Sequence, residues 1–459
     1  MVGRYESWGR YPRVRQSAVR LIWRHLSLPV SRDPHRSYLP FGNGRSYGDT
    51  CLNDGGILLD ARGLDRFIAF DPEEGVLRCE AGVLLSQILD LVVPKGWFLP
   101  VLPGTKFVTL GGAIASDVHG KNHSREGTFG RHVRRFELLR SSGERRICSP
   151  GENPDWFRGT IGGLGLTGVI LWAEIALRRI QSQNVISEAV PARNLERLFE
   201  QLLDSSRNFE YVAAWIDCLA RGENLGRGLL FRGNHAGAGS PALQRKSRRG
   251  FRVPLDFPVS PVNEVTVRLF NTLVYLAHEK LSSPTVTDYD VFLFELDRIE
   301  GSNRLYGPGG FLQYHCVVPL ECGKPVVEGM LRLTFRQGMP SSLGVLKVFG
   351  ALPSPGLLSF PRPGISFALD FPSPGPKVMR LLEEFDGIVS SAGGVVYPAK
   401  DARVSARNFQ AYYPQWTEFA KSIDPRFSSS FWRRVSGEQR TGLEVSASQH
   451  VKNTIEEAK

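Results

Sequence analysis

The run Gly42-Asn43-Gly44-Arg45-Ser46-Tyr47-Gly48-Asp49 constrains this chain more than any other segment. Three glycines in seven positions permit positive φ and close backbone approach to a neighbour. Consecutive N–H groups in such a loop can converge on a pyrophosphate, and Arg45 and Ser46 add polar side chains. A plain surface turn satisfies the same pattern.

A second small-residue segment follows Pro103-Gly104-Thr105. It reads Thr109-Leu110-Gly111-Gly112-Ala113-Ile114-Ala115-Ser116-Asp117-Val118-His119-Gly120. Such a run offers a packing surface to something flat and rigid, with Asp117 and His119 at its edge. For His119 alone, a hydrogen-bonded core histidine is the simpler reading. Gly163-Leu164-Gly165-Leu166-Thr167-Gly168 matches G-x-G-x-x-G, but the β-prone Val169-Ile170-Leu171-Trp172 comes after it. The dinucleotide fingerprint needs a strand before and a helix after, so a Rossmann unit is rejected. No phosphate loop ending in Gly-Lys-Ser/Thr occurs, which argues against an NTPase.

With 459 residues, the chain has room for two or three domains. Its 48 glycines and 30 prolines lie between short apolar runs, which predicts many turns and a mixture of strands and helices. Strands are expected at 57–60, 67–70, 76–79, 136–139, 169–177, 311–319, 344–349 and 365–371. Helices are expected at 84–93, 194–203 and 264–279, and in the polar tail from 399 to about 419. A net charge of +11 favours an anionic partner: nucleic acid, an acidic membrane leaflet or a phosphorylated substrate. No Lys/Arg block resembling a nucleic-acid tail appears.

The basic-apolar stretch 244–257, with the helix after it, is expected either to rest on an anionic leaflet or to be a surface loop. The scattered cysteines read as reduced, mostly buried thiols. The polar, Arg-rich residues 1–20 do not read as a secretory signal. The most apolar window, 84–102, is interrupted by Asp90, Pro94, Lys95 and Pro100, so a spanning helix is not expected. These features suggest a cytoplasmic protein with a peripheral place on the inner membrane face.

Several segments, taken together and in order, resemble the vanillyl-alcohol-oxidase-type family of FAD-binding oxidoreductases. Early ones are Ser7-Trp8-Gly9-Arg10, Gly44–Asp49, Val101–Thr105, Gly111–Ala115, Asp117, His119–His123 and Gly162–Gly168. Later ones are Tyr306-Gly307-Pro308, Gly310–Tyr314, Asp370-Phe371-Pro372 and Ala399-Lys400-Asp401. The likeness runs over most of the chain. It implies an α+β fold: a two-part FAD-binding domain with an inserted α+β substrate domain. The expected boundaries are 1–180 and 396–459 for the flavin parts and 181–395 for the insert.

The resemblance implies that the pyrophosphate sits on Gly42–Asp49 and Gly111-Gly112, with Gly104, Thr105, Thr109 and Leu110 also in contact with the cofactor. It puts the isoalloxazine near Ser116, Asp117, His119, Ile170 and Tyr397. Where some members attach FAD through a histidine, this chain has Asp49, so non-covalent FAD is expected. Lys400 is the first catalytic candidate, as base or as polariser of the substrate hydroxyl, although a lysine on a polar tail is ordinarily solvated. His119 is the second, accepting a proton or orienting a sugar.

Gln313, His315, Lys347 and Lys121 are expected on the substrate side. Lys347 is able to meet a phosphate as a point charge, or else guards a strand edge. The implied reaction oxidises the 2′-hydroxyl of a polyprenyl-phospho-ribose, with a separate nicotinamide-dependent reductase completing an epimerisation. Departures from the family pattern fall on the substrate side: Ala368 for a cysteine, His315 for a glutamine, and Leu293-Phe294-Glu295-Leu296-Asp297 for an aromatic-His-Pro-Leu-Asp run. An oxidase of soluble alditols or sugar lactones is the competing enzyme. A colourless, salt-sensitive nucleic-acid binder is the competing non-enzyme.

Overall fold

Short apolar runs between turns build three large sheets and two two-stranded ones among the described residues, and the registers of the large sheets decide what faces the site. The computed structural model describes residues 5–240, 250–258, 260–279, 283–339, 341–372 and 375–437. The fold is α+β. Near the N-terminus, Ser17–Arg20, Ile57–Asp60 and Tyr38–Phe41 form a parallel three-stranded sheet with Ile57–Asp60 in the middle. A five-stranded antiparallel sheet follows, ordered Phe67–Asp71, Val76–Glu80, Val169–Ala176, Val133–Leu139, Arg145–Cys148. The helix Pro154–Thr160 precedes Gly163–Gly168 and the strand Val169–Ala176 comes after it, the reverse of a dinucleotide fingerprint.

An eight-stranded antiparallel sheet holds the middle of the chain. Its order is Thr285–Asp288, Asn184–Ala192, Gly228–His235, Tyr211–Ile216, Leu343–Phe349, Gly364–Pro372, Phe311–Val318, Val395–Val396. The pairings Ala214↔Leu346, Leu346↔Phe367 and Phe367↔Cys316 put one row of side chains on a single face. That face packs under the helices Leu195–Asn208, Gly323–Arg336 and Pro376–Ser391 in the largest core cluster. Leu195, Leu198, Phe199 and Leu202 supply the buried stripe of the first helix at helical spacing, and Asn194 caps its start by accepting from the Arg197 N–H. Side chains alternate along a strand, so the residues between these face the opposite way. They form a wall of the cavity described below.

The chain returns to its start at the C-terminus. The helix Ser430–Ser436 lies against the glycine run: Arg434 meets Asp49 at 2.7 and 3.0 Å and Asp401 at 2.9 Å. The tail predicted as helical from 399 is helical in pieces, at Ala406–Tyr412 and Trp416–Ala420. Glu264–Glu279 is a helix as expected, with its apolar side turned outward. Asn271 is buried, donating to Asp217 at 2.8 Å, whereas Val265 is 76% exposed and Leu269, Phe270 and Leu273 are more than half exposed. Of the basic stretch, 244–249 lies outside the described residues; Phe251, Leu255 and Phe257 are exposed. Among the described residues, no helix is long and apolar enough to cross a membrane. All six cysteines are free thiols, four of them buried.

Candidate active site

A cavity of about 600 Å³ runs between the glycine segments and the free face of the eight-stranded sheet. Gly42, Asn43, Gly44, Arg45, Ser46 and Tyr47 line one end with Gly104, Thr105, Thr109, Gly111 and Gly112. The backbone there tolerates only glycine at key places. A Cβ on Gly42 meets Thr109 Oγ1 at 2.4 Å, and Gly44 has φ +59°. Thr109 itself caps the short helix Leu110–Ala115 by accepting from the Gly112 N–H. Asn43 Nδ2 donates to the Phe107 carbonyl at 2.7 Å, which holds the two loops together. The result is a cradle with room for a pyrophosphate against backbone.

The sheet supplies the other end. The register Trp215↔Val345, Val345↔Ala368 and Ala368↔His315 is the row opposite the core-facing one. One step along the strands lie Lys347↔Ser366 on one side and Leu343↔Asp370 with Asp370↔Gln313 on the other. Gln313, His315 and Lys347 therefore reach the cavity from two strands separated by a third. Lys347 lies on an interior strand, which removes the edge-guard reading. His119, Ser116, Ile170 and Tyr397 line the cavity between the two ends, and Lys400 completes it.

The polar groups here are buried and partly unpaired. His119 Nδ1 and His315 Nδ1 have no hydrogen-bond partner, and their ring centroids lie 5.4 Å apart. His315 Nε2 shares a hydrogen bond of 2.8 Å with Ser366 Oγ. Burial, reinforced by the nearby Lys347, holds both imidazoles well below their usual pKa and hence neutral. Tyr397 stacks on Phe360 at 4.5 Å and donates its hydroxyl to the Ser116 carbonyl. Lys400 Nζ sits 3.5 Å above the Tyr47 ring centroid. Burial brings Lys400 down to about 7, with Asp370 pulling upward and Lys347 adding to the fall. Burial, then Lys121, bring Lys347 down to about 8. Asp370 is lifted by burial to about 6, against the hydrogen bond from Gln313 and the charge of Lys400.

Four of the sequence-predicted cofactor residues do not line the cavity: Gly48, Asp49, Leu110 and Asp117. Asp49 is turned to Arg434. Leu110 is buried in the core cluster of the five-stranded sheet. Asp117 has φ 38° and is fully buried. Its carboxylate accepts from the Gly130 N–H at 2.8 Å and from the Ser354 and Ser359 hydroxyls. That fixes the loop carrying Phe360, so Asp117 shapes the site through Phe360. Lys121 reaches the cavity but already donates to the Phe292 carbonyl at 2.8 Å and faces Glu295 at 3.6 Å.

The sequence reading gave no role to Asp370, Asp297 or Trp215. Asp370 opens the quoted Asp-Phe-Pro run and Asp297 ends the quoted Leu293–Asp297 run, so both were in view. Trp215 stands in no motif.

Residues 28–149 match the FAD binding domain family. The chain is 36% identical over 417 residues to the decaprenylphosphoryl-β-D-ribose oxidase of Mycolicibacterium smegmatis, covering 87% of this chain and 89% of that protein. An uncharacterized protein of Streptomyces coelicolor is 34% identical over 77% of this chain and all of its own length. A putative D-arabinono-1,4-lactone oxidase of Neurospora crassa is 28% identical over 40% of this chain and 33% of its own. The lactone-oxidase likeness thus stops well short of the whole chain, whereas the first likeness covers 87% of it. With a glycine cradle, a matching FAD-binding domain and 36% identity over most of both proteins, this chain belongs to the decaprenylphosphoryl-β-D-ribose oxidase family of FAD-dependent oxidoreductases.

Proposed function

We propose that this chain oxidises the 2′-hydroxyl of a polyprenyl-phospho-β-D-ribose to the 2′-keto sugar, the first half of an epimerisation to an arabinose donor. The observation that carries the reading is one cavity joining a glycine cradle to Lys400, Lys347 and two neutral imidazoles whose Nδ1 atoms have no partner. Bound FAD supplies the hydride acceptor. The remaining work falls to this chain's residues. Lys400, neutral above its pKa of about 7, accepts the hydroxyl proton at Nζ. His119 Nδ1 and His315 Nδ1 orient the sugar hydroxyls, Gln313 and Lys347 border the ring, and Tyr397 with Phe360 keeps water out.

FAD is held without a covalent link in this reading, because the histidine position of covalent members is Asp49, whose oxygens are occupied by Arg434. Ser116, Ile170 and Tyr397 flank the ring, the backbone of the Gly42–Tyr47 loop with Gly111 and Gly112 holds the pyrophosphate, and Gly104, Thr105 and Thr109 border the rest of the cofactor. The keto product requires a nicotinamide-dependent reductase as partner. The outward apolar face of Glu264–Glu279, with exposed Phe251, Leu255 and Phe257 beside it in sequence, supports contact with a lipid leaflet while the substrate's tail stays in the bilayer.

The test is Lys400→Ala. The variant is expected to purify yellow with FAD and to stay oxidised when given farnesyl-phosphoryl-ribose anaerobically. Reduction at the unsubstituted rate rejects Lys400 as the base.

A further inference from the structure

Several arginines whose side chains are largely covered meet carboxylates, as physical chemistry favours for a desolvated charge. Arg10 meets Asp256, Arg403 meets Asp386, Arg140 meets Asp424 and Arg434 meets Asp49. Arg45 differs. Its side chain is only partly exposed, and its Nε is buried with no hydrogen-bond partner. No hydrogen bond or ion pair to its guanidinium occurs among the described residues. Two aromatic rings hold it in place instead: its guanidinium carbon lies 4.3 Å from the Trp8 ring centroid and 5.7 Å from that of Phe107. Trp8 is fixed in turn, its N–H donating to the Ser46 carbonyl at 2.7 Å and its carbonyl accepting from Asn303 Nδ2 at 3.1 Å. An oriented cation without an anion, on the wall of a cavity, is a recognition group whose partner comes from outside the chain.

The surroundings of Arg45 say which anion. Its nearest carboxylate in charge terms, Asp297, is already used by the Lys106 N–H at 2.9 Å, and the cavity wall continues from it through Ile299 to Ser302. On that stretch, Leu296 and Ile299 are exposed apolar side chains, and Phe251, whose strand pairs with Ile299, is exposed as well. Arg45 therefore borders the part of the cavity that adjoins an apolar surface. Lys347, by contrast, is partly buried near His119, His123 and His315. A sugar joined to a lipid through a phosphate presents its anion between the polar ring and the apolar tail.

We infer that the Arg45 guanidinium, shelved on Trp8 and Phe107, binds the phosphate that links sugar to lipid in the substrate. The inference rests on the proposed substrate class and refines it. It moves phosphate recognition from Lys347 to Arg45, and it takes the Arg45 side chain out of the set that holds the flavin pyrophosphate, leaving that to loop backbone.

The experiment compares the FAD-loaded protein with its Arg45→Met and Arg45→Lys variants. Binding of farnesyl phosphate is measured by calorimetry, and flavin reduction by farnesyl-phosphoryl-ribose is set against reduction by methyl β-D-ribofuranoside, which lacks phosphate and tail. Arg45→Met is expected to keep its FAD, to bind farnesyl phosphate roughly 10- to 100-fold more weakly and to raise KM for the phosphorylated sugar by a similar factor. Reduction by the neutral glycoside stays unchanged, and Arg45→Lys recovers part of the loss because it keeps charge without the fork. Loss of FAD from Arg45→Met overturns the inference in favour of a cofactor contact, and unaltered farnesyl phosphate affinity overturns it outright. If the unsubstituted protein binds farnesyl phosphate through Arg45 yet no sugar reduces its flavin, the phosphate site stands and the proposed reaction falls.

Discussion

The charge of Asp370 favours the protonated form of Lys400, so removing it tests the proposed role of that lysine as base. Asp370→Asn keeps shape and an oxygen able to accept from Gln313 Nε2, now at 2.6 Å, but removes the negative charge. The carboxylate favours the protonated form of Lys400, so its loss lowers the lysine pKa from about 7. An opposite charge at close range shifts a pKa by about 1–3 units, each unit being about 1.4 kcal/mol. Because the acid of Asp370 itself titrates near 6, the carboxylate is mostly ionised while Lys400 loses its proton. The two groups titrate as a coupled pair, and the acidic limb of the rate profile belongs to both. The assay is stopped-flow reduction of the flavin at saturating substrate between pH 5 and 9. In the unsubstituted protein the rate rises with pH to a plateau, with its midpoint near 7, as Lys400 becomes neutral. In Asp370→Asn the midpoint moves down by at least ~1 unit, so the variant outpaces its parent below pH 6. A midpoint that stays put, or moves upward, refutes the coupling and with it the role of Lys400 as base.

Other perturbations separate cradle, scaffold and surface. Gly42→Ala drives a methyl into Thr109 Oγ1 and is expected to purify without colour, whereas Gly104→Ala, whose Cβ meets nothing within 4 Å, keeps the flavin absorbance. Asp117→Ala strips a buried N–H and two hydroxyls of their acceptor; about 3–5 kcal/mol of stability is lost in denaturant titration, and Asp117→Asn loses less. Acid precipitation is expected to leave FAD in the supernatant; colour in the pellet contradicts non-covalent binding. Leu269→Ser with Leu273→Ser, both exposed, leaves the melting temperature unchanged but weakens flotation with acidic liposomes, and equal flotation argues against that face touching lipid.

The glycine segments were legible in the sequence because backbone approach needs glycine whatever surrounds it. Gly42–Tyr47 and Gly111-Gly112 do face one cavity. Strands such as Ile57–Asp60 and Val169–Ala176 were equally plain, since a short β-prone apolar run beside glycine turns is a local signal. Direction was not. Asp49 and Asp117 stand in motifs that also carry cavity residues, yet their carboxylates point to Arg434 and to two serines more than 230 positions away, and only the tertiary fold brings those partners near. The strands Tyr211–Ile216 and Gly228–His235 escaped sequence reading because both faces are largely buried, which blurs the period-two signal. The amphipathic pattern of Glu264–Glu279 gave the helix correctly but could not say which face turns inward. Asn271 settles that by meeting Asp217, so the apolar side is left outward.

The central claim is tested most directly by the absorbance spectrum of the purified protein, before and after anaerobic addition of farnesyl-phosphoryl-ribose. The account predicts a flavin spectrum that bleaches on mixing and recovers when an electron acceptor is admitted. A flavin that stays oxidised with that sugar, but is reduced by a soluble alditol or lactone, contradicts the proposed substrate. A protein that remains colourless after reconstitution with FAD contradicts the account at its root.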